Sequence, residues 1–466
     1  MSQMQIGLVG LGVMGENLAL NLLRHGCAIS GFDLDDVKLA SFGVRTQGQS
    51  ALAVDSLEQL VASLPAPRCI WLMVPAGSAV DAVLAQLQPL LSAGDVVIDG
   101  GNTLYTDTER RMTALHSSGI HYVGLGVSGG EAGALNGPAL MPGGDALAWP
   151  RLQPLLQAIA AKAEDGQPCC EWMGPGGSGH FVKMVHNGIE YADMQTICEA
   201  YDLMQNVLGM SAREMSDCFR QWNQGELSSY LMGITADILA YTDPETGQPL
   251  VDLILDSAEQ KGTGRWASQV ALDLGVATPT LVSAVLARTL SSLKTERLQA
   301  AQVLCGPASP PLAEREQVLE KIKQSLLAAK ICAYAQGFGL LRAADRHHQW
   351  QLPLRTVASV WRAGCIIRAR LLDNIRQAYE HTPDLSNLLL DSHFSSVLAD
   401  CQQSLRDVVA MGAQHGVAIP SFMSSLSYYD GYRSARLPAN LLQAQRDYFG
   451  AHTYQRLDRP GQFHSP

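Results

Sequence analysis

The sequence predicts a doubly wound α/β domain over residues 1–177, an all-helical domain over residues 178–434 built from an internal duplication, and a C-terminal tail over residues 435–466. Three observations carry this. Short apolar segments alternate with helical periodicities through the first third of the chain. A glycine-rich break, Gly174-Pro175-Gly176-Gly177-Ser178-Gly179, then ends that alternation. Beyond it helical periodicity dominates, and its motifs recur roughly 135–140 residues later.

The first strand is predicted over residues 4–9. Gly10-Leu11-Gly12-Val13-Met14-Gly15 follows, and then a helical run over residues 16–25. This is the G-x-G-x-x-G of a Rossmann-type domain in its proper context, between a strand and a helix. The glycines permit a tight turn and close approach of a pyrophosphate, and the helix N-terminus offers unpaired N–H groups to it. A second strand over residues 28–32 leads into Asp33. A carboxylate there can accept from a ribose 2′-OH and repels a 2′-phosphate. The residues after it, Leu34, Asp35 and Asp36, include no arginine, which favours NAD over NADP. The other reading makes Asp33 or Asp35 the cap of a helix starting near Val37.

Further buried strands are predicted over residues 69–74, 96–99 and 122–127, with a helix over residues 80–91, giving a parallel sheet. Two strand ends carry glycine-rich turns, Asp99-Gly100-Gly101-Asn102 and Ser128-Gly129-Gly130-Glu131. Ligands gather at the C-terminal ends of such strands, so both turns are candidate contacts; plain turn chemistry explains either one alone equally well.

Past the break, Lys183, His186, Asn187 and Glu190 fall at i, i+3, i+4 and i+7 and share one helix face, beside an apolar face of Val182, Val185 and Ile189. Lys183 and Glu190 lie roughly 10 Å apart along the axis. A small polyhydroxy acid fits between them, although a merely solvated face has the same pattern. The motif Ile197-Cys198-Glu199-Ala200-Tyr201 recurs as Ile331-Cys332-Ala333-Tyr334, and Trp222 with Gly225 recurs as Trp361 with Gly364. The second copy has no partner for Lys183 or Glu190, so it reads as scaffolding. Lys261-Gly262-Thr263-Gly264 sets a lysine in a turn able to hold an oxyanion. Arg288, in an apolar helical run, either snorkels or pairs with an anion. Arg446 and His452 lie in a C-terminal segment rich in Arg, Tyr and His.

The whole chain of 466 residues is 47% hydrophobic and 17% charged, which is globular composition. Its net charge of −11 disfavours nucleic-acid binding and requires local cationic clusters for any anionic ligand. No apolar run approaches the ~18 residues of a membrane span. The N-terminus lacks a secretory pattern, and the ten cysteines form no Cys-x-x-Cys pair. A cytoplasmic protein is therefore expected.

Taken together these motifs resemble the 6-phosphogluconate dehydrogenase family nearly end to end. The long stretch from Gly179 through Lys183, His186, Asn187 and Glu190 to Tyr191 carries most of the likeness, with the Lys261 turn and the segment from Arg436-Leu437-Pro438-Ala439-Asn440 to Ala451-His452-Thr453-Tyr454. The resemblance implies oxidation of 6-phosphogluconate at C3, loss of CO2 and release of ribulose 5-phosphate, without a metal. Lys183 would match the general base and Glu190 the acid. Asn102, Ser128, Gly129, Gly130, His186 and Asn187 would hold the sugar acid. Tyr191, Lys261 and Arg288 would bind its phosphate, and Arg446 and His452 would complete that pocket from the other subunit of a homodimer. Residues 10–15, Asp33, Val74, Pro75, Ala76 and Asn102 would line the dinucleotide.

Departures from the family pattern bear on the cofactor. Most members have Asn-Arg-Thr where this chain has Asp33-Leu34-Asp35, a Lys where it has Pro75, and a second Glu where it has Ala132. The first two agree with NAD as the preferred cofactor. Two rival readings remain. A shorter β-hydroxyacid dehydrogenase generally lacks the second helical copy, the Lys261 turn and the tail. A non-catalytic dinucleotide sensor has no need of Lys183 and Glu190 together.

Overall fold

A computed structural model of the chain describes residues 5–259, 262–307, 312 and 314–465. Strands β1 (Ile6–Val9), β2 (Ile29–Phe32), β3 (Ala51–Ala53), β4 (Cys69–Leu72), β5 (Val96–Asp99), β6 (His121–Ser128) and β7 (Ala139–Gly144) form one sheet in the order β3-β2-β1-β4-β5-β6-β7. β1, β2, β4 and β5 are buried throughout, as expected of strands covered on both faces by helices. β1 pairs with β2 on one side and β4 on the other. This is where the strand order reverses and where such sheets open a crevice for ligands.

Two features correct the sequence reading. β3 and β7 were not foreseen, and β7 runs antiparallel to β6, so the sheet is not wholly parallel. β7 reads Ala-Leu-Met-Pro-Gly-Gly, without the β-branched residues that signal a strand. Its glycines have a packing reason: a Cβ on Gly143 would stand 2.3 Å from Ser178 Oγ.

The helix Ser178–Asn206 is the axis of the second half, buried on nearly all sides. It packs on β6 and β7, on the helices Thr263–Asp273 and Pro279–Ser291, and on the long helix Arg315–His348. The duplication is visible in the element order. Each long helix is followed by two shorter ones, Ala212–Trp222 and Tyr230–Ala240 after the first, Leu354–Val360 and Leu371–His381 after the second. Trp222 and Trp361 sit at equivalent helix ends. The copies meet at an antiparallel bridge between Ser229 and Ala369. Pro420–Arg433 also packs on the first long helix. The chain ends in the helix Ala439–Gly450 and a short return that pairs Tyr454 with Phe463.

Candidate functional site

The glycine loop behaves as its spacing predicts. Gly10 has φ +98°, and a Cβ there would strike Met73 O at 2.6 Å. A Cβ on Gly15 would strike Gly10 O at 1.9 Å. Gly12 caps the helix Val13–Arg24, and a Cβ on it meets nothing within 4 Å. The N-terminal amides of that helix therefore open onto free space, which fits a pyrophosphate. Asp33 Oδ2 accepts the Leu11 N–H at 2.7 Å and Oδ1 accepts the Asp35 N–H at 2.9 Å. Asp35, not Asp33, caps the next helix by accepting the Val37 N–H. Val74, Pro75, Ala76 and Asn102 follow the ends of β4 and β5. All the expected dinucleotide contacts thus lie at one edge of the sheet.

Lys183, His186, Asn187 and Glu190 occupy one face of Ser178–Asn206, and it is not a solvated face. Lys183 is 7% exposed and His186 fully buried. Glycines let the helix reach the sheet: a Cβ on Gly126 would stand 2.5 Å from Lys183 Cβ, and one on Gly179 would stand 2.4 Å from Gly124 O. His186 Nε2 lies 3.2 Å from Ser128 Oγ. Its Nδ1 lies 3.2 Å from Asn187 Oδ1 and 3.5 Å from Glu190 Oε2. Two acceptors flank Nδ1 and a hydroxyl faces Nε2, which assigns the ring proton to Nδ1. Asn187 donates to Thr263 Oγ1 at 2.8 Å.

Burial dominates the electrostatics. It pushes the Lys183 ammonium below its ordinary range, against the opposing pull of Glu190. It holds His186 well below its usual value, and Lys183 adds to that. It raises Glu190, with Lys183 and Arg288 opposing and Asp193 reinforcing. One helix face therefore holds an amine biased toward the neutral base and a carboxyl biased toward the protonated acid. That is the pairing general acid–base chemistry needs near neutral pH.

At the far end of this face the Arg288 guanidinium lies 3.5 Å over the Tyr191 ring. Arg288 thus stacks on an aromatic face within electrostatic reach of Glu190. Lys261 lies outside the described residues. Arg446 and His452 are exposed, with Arg446 bonded to Gln443 and His452 set edge-on to Phe449, so their partners lie within the tail.

Residues 5–174 match the NAD binding domain of 6-phosphogluconate dehydrogenase, and residues 179–466 match the 6-phosphogluconate dehydrogenase C-terminal domain. The chain belongs to the 6-phosphogluconate dehydrogenase family. A Bacillus subtilis relative named 6-phosphogluconate dehydrogenase, NADP(+)-dependent, decarboxylating is 51% identical over 466 residues, covering 100% of this chain and 99% of the relative. A decarboxylating 6-phosphogluconate dehydrogenase of Synechococcus elongatus is 52% identical over 469 residues, covering 100% of this chain and 99% of its own length. A Plasmodium falciparum 6-phosphogluconate dehydrogenase, solved in apo form and with NADP+ and with 6-phosphogluconate, superposes with a TM-score of 0.95 at 40% identity and 99% coverage of both chains. This full-length match does not favour the shorter β-hydroxyacid dehydrogenase or the sensor. The family is one of nicotinamide dinucleotide oxidoreductases. Among the described residues no helix is long and apolar enough to cross a membrane.

Beneath the site of this family member lies a buried ionic hub that sequence reasoning missed. Asp99 Oδ2 accepts from Thr103 Oγ1 at 2.8 Å, Tyr122 OH at 2.9 Å and Arg111 Nη1 at 3.3 Å, while Oδ1 accepts the Gly101 N–H at 3.0 Å. His180 Nε2 lies 3.0 Å from Asp99 O, and its Nδ1 lies 2.6 Å from Thr108 Oγ1. These bonds fix the turn that presents Asn102 and tie it to the first turn of Ser178–Asn206. A tyrosine inside the apolar pattern of β6 was the available signal, while Arg111 stands in the polar run of the helix Tyr105–His116 and gave none. Thr263 was likewise quoted only as part of the Lys261 turn.

Proposed function

We propose that the chain oxidises 6-phosphogluconate at C3, releases CO2 and yields ribulose 5-phosphate, using NAD in preference to NADP. The opposed proton affinities of Lys183 and Glu190 on one buried helix face support this most directly. Neutral Lys183 takes the C3 hydroxyl proton, and a bound nicotinamide ring would accept the hydride from C3. The resulting ammonium then polarises the C3 carbonyl while the C1 carboxylate departs as CO2. Glu190, which burial biases toward the protonated acid, delivers a proton to the carbon that lost the carboxylate. His186, neutral and fixed between Ser128 and Glu190, orients the hydroxyls between the two ends.

NAD preference rests on Asp33, whose carboxylate opposes a 2′-phosphate, and on Leu34, which offers no cation. Asn102, Ser128, Gly129, Gly130 and Asn187 hold the sugar acid in this reading, and Tyr191, Arg288 and Lys261 hold its phosphate. Arg446 and His452 serve the partner's site in a cytoplasmic homodimer. The tail supports this, with Tyr448 at 77% and Phe449 at 75% exposure. Near-ultraviolet absorbance of the reduced dinucleotide, with 6-phosphogluconate and each oxidised cofactor, tests the reaction. No signal with either overturns it. Size-exclusion chromatography tests the dimer, and a monomeric species overturns it.

A further inference from the structure

The second helical copy carries none of the acid–base residues, yet one of its turns stands directly behind the sugar-acid site. Trp361 ends the helix Leu354–Val360 and is fully buried. Its ring meets the His186 imidazole edge to face, with centroids 5.6 Å apart and planes at 77°. Phe338 packs on it at 5.6 Å, and its Nε1–H points to Met141 Sδ at 3.3 Å, which fixes the indole. Three residues on, Gly364 adopts φ +65°, and its carbonyl accepts the Ala139 N–H at 2.9 Å. That carbonyl sits where a Cβ on Gly129 would be 2.4 Å away, so it backs the Ser128–Gly129–Gly130 turn at backbone contact distance. Arg362 anchors the turn through two bonds to Asp165, at 2.8 and 3.1 Å, and one to Asp373 at 3.3 Å.

We propose that residues 361–365 are a positioning element for the sugar-acid end of the site, with Trp361 setting the His186 ring and Gly364 setting the height of the Gly129 turn. Neither touches the crevice at residues 10–15. The split is therefore specific: a loosened turn misplaces the groups that hold the sugar acid and leaves dinucleotide binding alone. Edge-to-face aromatic contacts carry enough energy for roughly a 3- to 10-fold change in affinity. This rests on the 6-phosphogluconate reading, which wild-type turnover of that acid tests separately before any variant is made.

The experiment is steady-state kinetics of Trp361→Phe, Trp361→Leu and Arg362→Ala, varying 6-phosphogluconate and dinucleotide independently. The expected result is a KM for the sugar acid raised roughly 3- to 10-fold in Trp361→Leu and Arg362→Ala, with Trp361→Phe recovering most of the loss and the dinucleotide KM unchanged. Should Trp361→Leu not fold, Arg362→Ala, which removes the anchor to Asp165 and Asp373 and leaves the indole in place, carries the test. Both KM values rising together, or neither changing while thermal stability falls, would make the turn packing only and overturn the proposal.

Discussion

The Asp33 carboxylate accepts the Leu11 backbone N–H at 2.7 Å, so the side chain proposed to meet the ribose also braces the glycine loop. Its oxygens keep lone pairs for ribose hydroxyls, since each carboxylate oxygen accepts more than one bond. A 2′-phosphate in the same place meets a fixed negative charge and the exposed Leu34. We expect kcat/KM to favour NAD by about tenfold or more, the ratio that ~1.4 kcal/mol produces. Asp33→Asn with Leu34→Arg should invert the ratio. A wild-type ratio favouring NADP sinks this account.

Lys183→Met should abolish turnover and leave dinucleotide affinity unchanged. A positioned general base contributes roughly 10²- to 10⁴-fold, and Lys183 lies outside residues 10–15. In the wild type the base form must be present, so activity rises with pH through the lysine's titration. Burial moves that limb below the ordinary lysine range. Glu190 must be protonated, so activity falls as pH rises through its titration, at a pH above the ordinary carboxylate range. Glu190→Gln should erase the second limb. An unaltered pH profile in that variant removes Glu190 from proton transfer.

Gly126→Ala tests how closely the lysine is placed. The added Cβ would stand 2.5 Å from Lys183 Cβ, closer than real Cβ contacts, so the helix or the strand must shift. Misplacing a catalytic group by about 1 Å can cost on the order of 10²-fold. We expect kcat to fall by about that factor, with unchanged dinucleotide binding by fluorescence titration. Wild-type kcat in a folded variant shows that the contact is not limiting.

How far this was legible follows from what each pattern depends on. The glycine loop and the Lys183 face are local in sequence and the duplication is a repeat read along it, and the structure has them where the spacing puts them. β7 was hidden because its glycines serve close packing, Gly143 against Ser178–Asn206 and Gly144 against the β6 backbone, which no strand propensity reports. The Asp99 hub was hidden because its partners Arg111, Tyr122 and His180 come from three separate elements and join Thr103, in the loop after β5, only on folding. The second copy was read as scaffolding because it lacks acid–base residues, while Trp361 and Gly364 act through an aromatic edge and a backbone carbonyl. Glu199 interrupts the first copy's motif with no counterpart between Cys332 and Ala333, and its purpose is visible only in three dimensions.

Glu199 is 1% exposed and accepts the Ser421 and Phe422 N–H groups at 2.8 Å each, so it caps the buried start of Pro420–Arg433 from another helix. Burial outweighs those amides and pushes its carboxyl up to about 7 from an ordinary 4.5. The folded chain then binds more protons than the unfolded chain between those values. The stabilising contribution of the protonated group is full below the ordinary value and is lost as pH rises through about 7. Gln mimics the protonated acid at every pH. Glu199→Gln should therefore match the wild type near the acid end of this window and exceed it above, by on the order of 3 kcal/mol. Other carboxylates, such as Asp81 and Asp256, are pulled down by cations and slope the opposite way, so only the difference between the two proteins isolates Glu199. Denaturant melts of both proteins across the window measure it. Parallel pH curves would mean that the two amides hold the carboxylate charged throughout, making it a permanent anionic cap rather than a buried acid.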